Sequence, residues 1–185
     1  MDLVRPGIMI YGSYPDQGTP RSISLLPGLS FLTRVSFLKK VVAGTRVGYG
    51  LTWTAQEDTY IATIPVGYAD GFNRLFSNRG RVLMHGRPYP VVGRVCMDQS
   101  MVNLGPETEV KVGDQVVLIG RSGTEEITAD EWAKSLATIP YEVTCQISGR
   151  VERIFQTGDR SGLLDGSGSE EIPGEEKPEF IGTLP

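Results

Sequence analysis

Short stretches of β-forming residues, separated by turn residues, follow one another along the middle of this chain. Between residues 58 and 120 they are DTYIATIPVGYADG, GRVLM, YPVVGRVCM, SMVNL and DQVVLIG. Strands at such short intervals are typical of all-β sandwiches and barrels. We therefore predict a mainly β, Greek-key-like barrel or sandwich domain over residues 32–157.

Three features refine this prediction. The segment from Leu32 to Val42 alternates in the manner of a strand, and MHGR (residues 84–87) predicts a tight hairpin with Gly86 at positive φ. His85, at the tip of that hairpin, is expected to be solvated and is given no role. The same composition of β-forming residues makes YEVTCQIS and GRVERIF candidates for the last strands.

One short helix is expected to interrupt the strands. Thr128 and Glu131 have the spacing of a capping box, and hydrophobic residues one turn apart follow them. We predict a helix over Ala129–Ala137, ended by Pro140.

The two ends of the chain differ from its middle. LVRPGIMIYG, from Leu3 to Gly12, predicts a buried strand, and residues 13–31 form a connector rich in Pro, Gly and Ser. Residues 158–185 contain DGSGSEEIPGEEKPE, a composition that cannot bury a core, and we predict a disordered acidic tail.

Charge and composition exclude several classes of function. Residues 161–185 hold six acidic residues against Lys177 alone, so the net charge of -4 leaves the rest of the chain close to neutral. Without a basic stripe, we expect no nucleic-acid partner.

Two distant cysteines and a single histidine predict neither a disulfide framework nor a metal site. We find neither an apolar stretch long enough to span a membrane nor a signal-peptide pattern. We therefore expect no membrane partner and a cytoplasmic location.

Tyr49 lies between two glycines in VGYGL, a costly pattern in a strand-like segment. One interpretation is structural: a bulge or the close approach of another backbone. The other is functional: the ring is left uncovered so that a ligand can reach its hydroxyl. Taken alone, a tyrosine in a strand is usually a packing residue.

Three further stretches could carry chemistry, although YADG is by default a turn and Cys96 a small buried hydrophobe. Phenol hydroxyls beside arginines would suit an anionic ligand. The three stretches are IPVGYADGFNR, GRVCMDQS and IPYEV.

In combination and in this order, VRPGIMIYG, VGYGLTWTA, IPVGYADG, GRVCMDQSMV, IPYEV and GRVERIF resemble the C-terminal part of bacterial alanine racemases, from about Leu3 to Phe155. The resemblance implies the last strand of an α/β barrel in residues 1–12, followed by the β domain. It also implies that the rest of the barrel, with the lysine that holds pyridoxal phosphate, is missing, so the chain alone is expected to be inactive.

The resemblance implies a role for each matching residue. Tyr49 matches the second catalytic base, which serves the cofactor of the partner subunit. Arg5 matches the donor to the pyridine nitrogen of pyridoxal phosphate, Gly7 and Ile8 match backbone positions at its phosphate, and Tyr141 matches a tyrosine bonded to that phosphate. A phenol that acts as a base at neutral pH needs a nearby cation, which we expect from the barrel.

The substrate is assigned in the same way. Met97 matches the backbone donor to the substrate carboxylate, with Cys96 and Asp98 beside it. The remaining matches belong to the substrate channel: Tyr68 with Tyr141 at the inner gate, then Arg74, Arg94 and Ile139.

The function implied is the interconversion of L- and D-alanine by a homodimer, which supplies D-alanine for peptidoglycan. Serine in place of alanine stays open as the substrate. A non-catalytic dimerising β module is the alternative of another class. A small nucleic-acid-binding barrel, suggested by VKVGDQVVLIG, is disfavoured by the charge. Gly149, where the family often has tyrosine, departs from the pattern.

Overall fold

The computed structural model describes residues 3–16 and 18–155 of the chain and is built mainly from antiparallel strands. Within those residues the strands are β1 (Phe31–Arg34), β2 (Phe37–Val41), β3 (Arg46–Val47), β4 (Trp53–Thr54), β5 (Thr59–Ile64), β6 (Arg81–Met84), β7 (Arg87–Val92), β8 (Ser100–Gly105), β9 (Gln115–Ser122) and β10 (Glu125–Ile127). The predicted mainly β fold class is confirmed, and the strand pairs are antiparallel.

The strands of the main sheet follow the order β1-β9-β6-β7-β8-β5-β2, with β10 paired to β9 and with β3 and β4 forming a separate ribbon. The first and last strands of that order are neighbours in sequence. Only Val35 and Ser36 separate β1 from β2, so the two ends of the sheet must lie close together and the sheet must curl. The predicted single strand from Leu32 to Val42 is therefore two strands, because the chain passes from one end of the sheet to the other at this point.

The core combines aliphatic side chains of the sheet with a group of four aromatic rings. Trp132 lies 4.7 Å from Phe76, 5.4 Å from Phe72 and 6.2 Å from Phe31, measured between ring centroids. All four rings are buried. Burying rings of this size strongly favours folding, so this group stabilises the packing of the helix that carries Trp132 against the sheet.

Two short helices follow the strands, where the sequence predicted one. Helix α1 (Ala129–Leu136) is confirmed, and the Thr128 hydroxyl oxygen accepts a hydrogen bond from the amide of Glu131 at 3.1 Å. Pro140 does not end α1 but begins α2 (Pro140–Gln146) as its first residue.

The predicted strand YEVTCQIS is therefore wrong, and its residues mostly form α2. The helix places Val143 in the core, with Ile147 buried just after its end, and that burial outweighs the β preference of the residues. The predicted strand GRVERIF is also wrong, because the described residues 149–155 have no strand partner.

The N-terminal stretch from Leu3 to Gly12 is not the predicted buried strand. Residues Gly7–Tyr11 form a 3-10 helix, only Ile8 is buried, and Leu3 is exposed. A strand needs a neighbour to pair with, and no described strand pairs with this stretch. Its assignment to a barrel stays a prediction, and the predicted tail at 158–185 lies outside the described residues.

The hairpin at residues 84–87 is confirmed, with Met84 paired to Arg87 and Gly86 at φ 73°. His85 is exposed, as expected, and has φ 48° at the hairpin tip. Its Nε2 also lies 2.9 Å from Oδ2 of Asp114, in the turn before β9. Among the described residues, no helix has the length and apolarity needed to cross a bilayer.

Candidate functional site

Tyr49 is held out from the domain on a tight turn between β3 and β4. Residues Tyr49–Leu51 form a tight turn of 3-10 type that is kinked at Gly50, and the amide of Leu51 donates to the carbonyl oxygen of Gly48 at 3.1 Å. The side chain of Tyr49 is 75% exposed. Because the Tyr49 side chain has so little packing, the conformation of its backbone determines its position.

Both glycines beside Tyr49 are required by this geometry. Gly48 has φ 76° and Gly50 has φ 71°, values that L side chains rarely adopt. A Cβ on Gly48 would lie 3.1 Å from the amide nitrogen of Arg94, and one on Gly50 would lie 3.2 Å from Nε of Arg94. The glycines thus permit a close approach, as one interpretation of the sequence held, and the approaching segment is Gly93–Arg94.

The YADG stretch is joined to the CMD stretch by main-chain contacts. The amide of Tyr68 donates to the carbonyl oxygen of Cys96 at 3.0 Å, and that of Ala69 donates to Met97 at 3.1 Å. Gly67 makes this pairing possible, since a Cβ there would lie only 2.2 Å from the Cys96 oxygen. The amide of Met97 has no hydrogen-bond acceptor among residues 3–16 and 18–155 and can serve a ligand.

Arg150 ties two aspartates of these stretches together. Its Nη2 lies 2.6 Å from Oδ1 of Asp98, and its Nε lies 3.5 Å from Oδ1 of Asp70. The hydrogen bond that Arg150 donates to Asp98, and then the charge of Asp70, raise the pKa of Arg150 above its usual value. Asp70 also accepts from the amide of Gly67 at 2.9 Å, so this cluster fixes the loop that carries Met97.

Cys96 has the environment of a structural thiol. Its Sγ is buried and donates to the carbonyl oxygen of Arg94 at 3.4 Å. Burial raises the pKa of the Cys96 thiol, and the charge of Arg74 opposes that shift only in part. The thiol therefore stays protonated and is a poor nucleophile.

An open cleft of about 360 Å³ lies beside this loop. Tyr68 and Arg74, two residues expected in the substrate channel, line it together with Gly71, Asn73 and Gln146. Ile139, which the resemblance also places in the channel, is exposed where it precedes α2. A positively charged, open cleft can attract a carboxylate.

The N-terminal stretch meets Tyr141 at one point. A Cβ on Gly7 would lie 3.3 Å from the hydroxyl oxygen of Tyr141, so only a residue without a side chain leaves that hydroxyl open. Ile8 is buried, whereas Arg5 is exposed and makes no hydrogen bond or ion pair within the described part of the chain. Tyr141 lies near the start of α2, about 8 Å along the helix axis from Gln146, which lines the cleft.

The predicted residues therefore form three groups. Tyr49 lies beside Arg94, and Gly7 lies beside Tyr141. A third group shares one loop and cleft: Cys96, Met97, Asp98, Tyr68 and Arg74. The contacts within residues 3–16 and 18–155 place Arg5, Ile8 and Ile139 in none of these groups. Sequence reasoning missed Arg150 and Asn78, which hold these groups in place. The only signal for Arg150 was its place in GRVERIF, and Asn78 had none.

The fold and the site define a class: a mainly β domain that presents tyrosines and arginines on open turns. The family model "Alanine racemase, C-terminal domain" matches residues 29–155. This chain belongs to that family.

Individual relatives agree with this assignment. The alanine racemase of Cutibacterium acnes is 54% identical over 151 residues, which cover 82% of this chain and 40% of the relative. The structure of the Bacillus anthracis alanine racemase with bound L-Ala-P is 41% identical, with a TM-score of 0.74, over 78% of this chain and 37% of that one. The Bartonella henselae alanine racemase with covalently bound pyridoxal phosphate is 30% identical, with a TM-score of 0.72, over 80% of this chain and 40% of that one. The chain thus spans about 40% of the length of the relatives it matches.

Proposed function

We propose that this chain supplies the β-domain half of an alanine racemase active site, with Tyr49 as one of two acid–base groups. The observation that carries the proposal is the placement of Tyr49: 75% exposed, on a turn that two glycines fit against Arg94, in a domain of the alanine racemase family. A side chain held out in this way is available to a ligand on another surface. Relatives named alanine racemase support alanine as the substrate.

Racemisation removes a proton from one face of the α-carbon and returns one to the other face. Pyridoxal phosphate, when bound, would supply the electron-withdrawing group that makes this proton labile. The Tyr49 hydroxyl would hold and move the proton on one face. A lysine outside this chain would serve the other face.

Two residues of this chain fit the phosphate of that cofactor. Gly7 leaves the Tyr141 hydroxyl uncovered, and a hydroxyl together with an open glycine backbone forms a site that an anionic oxygen can approach. The exposed guanidinium of Arg5 is available to a ring nitrogen as a donor that stays protonated. The same cofactor is covalently bound in the Bartonella henselae relative.

Substrate binding would use the loop and the cleft. The free amide of Met97 would donate to the alanine carboxylate, and Asp98, held by Arg150, would keep that amide in place. Arg74 and Arg94 would raise the local concentration of a carboxylate substrate. Because the Tyr49 side chain is 75% exposed, we infer that it completes a site on a second subunit of a homodimer. Such an enzyme would make D-alanine for peptidoglycan in the cytoplasm.

A chimera tests this proposal. Residues 3–155 replace the matching segment of the Cutibacterium acnes alanine racemase, and the formation of D-alanine from L-alanine is measured. We expect turnover in the chimera and a loss of roughly 100-fold or more in Tyr49→Phe, the usual scale for removing a positioned acid or base.

Tyr89→Phe, on β7, is the matched control because it removes a phenol hydroxyl from a strand rather than from the site. Serine as a second substrate distinguishes alanine preference from broader specificity. Full turnover in Tyr49→Phe would contradict the proposal.

A further inference from the structure

Asn78 connects the segment that carries Tyr49 to the segment that carries Arg94. Its Oδ1 accepts a hydrogen bond from the amide of Gly93 at 2.6 Å. Its Nδ2 donates to the hydroxyl oxygen of Thr52 at 3.1 Å and to the carbonyl oxygen of the same residue at 3.4 Å. Thr52 directly follows the Tyr49 turn, and Gly93 directly precedes Arg94, so one side-chain amide holds both segments.

Gly93 also packs directly against the backbone at the start of the Tyr49 turn. It has φ 72°, and a Cβ there would lie 3.0 Å from the carbonyl oxygen of Val47 and 3.5 Å from Cα of Gly48. The two backbones are in contact, so a shift of Gly93 moves the start of the Tyr49 turn. Within residues 3–16 and 18–155, the only other hydrogen bond to the turn besides that of the Leu51 amide comes from Nη2 of Arg46, which donates to the Leu51 carbonyl oxygen at 3.3 Å.

The loop that carries Asn78 is itself anchored on both sides of Arg94. Ser77 accepts from the amide of Val95 at 3.0 Å and donates to the carbonyl oxygen of Arg74 at 2.6 Å. Asn78 has φ 57°, a conformation that asparagine tolerates better than most residues. Asparagine also provides the donor for Thr52 and the acceptor for Gly93, whereas aspartate provides only the acceptor.

We propose that Asn78 is a positioning residue that fixes the Tyr49 hydroxyl for proton transfer; this inference rests on the proposed function of Tyr49. Asn78 is exposed, so it acts through its hydrogen bonds rather than through packing. An acid–base group displaced by about 1 Å can lose up to two orders of magnitude in rate. The loss of rate in an Asn78 variant should therefore exceed the loss that its decrease in domain stability would explain.

Hydrogen exchange in the 185-residue chain tests the structural half of the proposal. Asn78→Asp removes the donor to Thr52 and keeps the acceptor for Gly93, so exchange at the Leu51 amide should rise about fivefold, the factor that corresponds to one hydrogen bond. The Gly93 amide should stay protected in this variant. Asn78→Gly removes both bonds without backbone strain, and both amides should then exchange faster.

Asn103→Asp is the matched control, because it makes the same chemical change on β8. Oδ1 of Asn103 accepts from Thr59 at 2.6 Å and from the Gly105 amide at 3.1 Å, and aspartate can keep both bonds. Its Nδ2 donates to no other described residue. Exchange at Leu51 should not change in this control. Unchanged exchange at Leu51 in both Asn78 variants would overturn the proposal.

Kinetics in the chimera test the functional half. Asn78→Asp should lower kcat about tenfold with little change in KM, and it should slow exchange of the α-proton in the same direction as Tyr49→Phe does. A loss of stability alone would lower the amount of active enzyme and affect both directions equally.

The outcomes separate the two proposals. If Tyr49→Phe keeps full turnover, the proposed function fails and this inference fails with it. If Tyr49→Phe abolishes turnover while Asn78→Asp behaves like Asn103→Asp, only the inference is wrong.

Discussion

Replacing Gly67 with alanine should separate the YADG stretch from the CMD stretch. The added Cβ would lie 2.2 Å from the carbonyl oxygen of Cys96 and 2.3 Å from that of Met97. Ordinary contact begins near 3.4 Å, so the two backbones must part by about 1 Å. This movement breaks the two main-chain hydrogen bonds that Tyr68 and Ala69 donate.

The expected cost follows from those contacts. Two hydrogen bonds contribute about 1 kcal/mol each, and the overpacking adds about 1–3 kcal/mol, which gives about 3–5 kcal/mol of lost stability. For a domain of this size the Tm should fall by about 10 °C.

The assay is thermal unfolding followed by near-UV circular dichroism. Gly149→Ala is the matched control because Gly149 lacks a positive φ and a Cβ there would meet no other atom within 4 Å. That control should stay within about 0.5 kcal/mol of the parent chain. A Tm for Gly67→Ala within about 2 °C of the control would refute the reasoning.

Three further changes have expected outcomes. Gly7→Ala, made in the chimera, should weaken binding of pyridoxal phosphate about tenfold in a titration, because its Cβ would crowd the Tyr141 hydroxyl at 3.3 Å; unchanged affinity would contradict the shared phosphate site. Trp132→Ala should cost about 3–5 kcal/mol in urea unfolding, since the ring packs against three other aromatic rings; a loss under 1 kcal/mol would be inconsistent with that packing. Because burial raises the pKa of the Cys96 thiol, the folded state binds this proton more tightly than the unfolded state does. The free energy of unfolding should therefore fall as the pH rises above the ordinary thiol pKa, and less steeply in Cys96→Ala; equal slopes would exclude this cause.

The elements that the sequence predicted correctly are those governed by local interactions. The capping box that Thr128 and Glu131 form starts α1 in the structure, and the turn at residues 84–87 forms the expected hairpin. In both cases the decisive contacts lie within four residues, so the sequence pattern contains them.

The elements that it missed depend on distant partners. Residues 141–147 have β-forming side chains, yet they are mostly helical because Pro140 starts a helix and Val143 packs into the core. Leu3–Gly12 has the hydrophobicity of a strand, but no described strand pairs with it. Propensity cannot predict either outcome, since tertiary contacts decide both.

The candidate site, like the fold, has some features that the sequence predicted and others that it could not predict. The resemblance assigned roles to Tyr49 and Tyr141, but the sequence could not indicate that Gly93–Arg94 is what lies against the glycines at 48 and 50. Nor could it predict that Arg150 contacts both Asp70 and Asp98, which lie 80 and 52 residues earlier in the chain. These contacts come from the folding of the sheet and have no local pattern.

The most direct test of the central claim is the direction of proton exchange in Tyr49→Phe. The variant is made in the chimera, and exchange of the α-proton with solvent deuterium is followed separately from L-alanine and from D-alanine by NMR. If Tyr49 holds the proton on one face, exchange should fall by roughly 100-fold for one enantiomer, which we expect to be L-alanine, and much less for the other. Equal exchange from both enantiomers at the rate of the parent chimera would contradict the claim and would make Tyr49 an exposed residue on a turn that the glycines shape for packing alone.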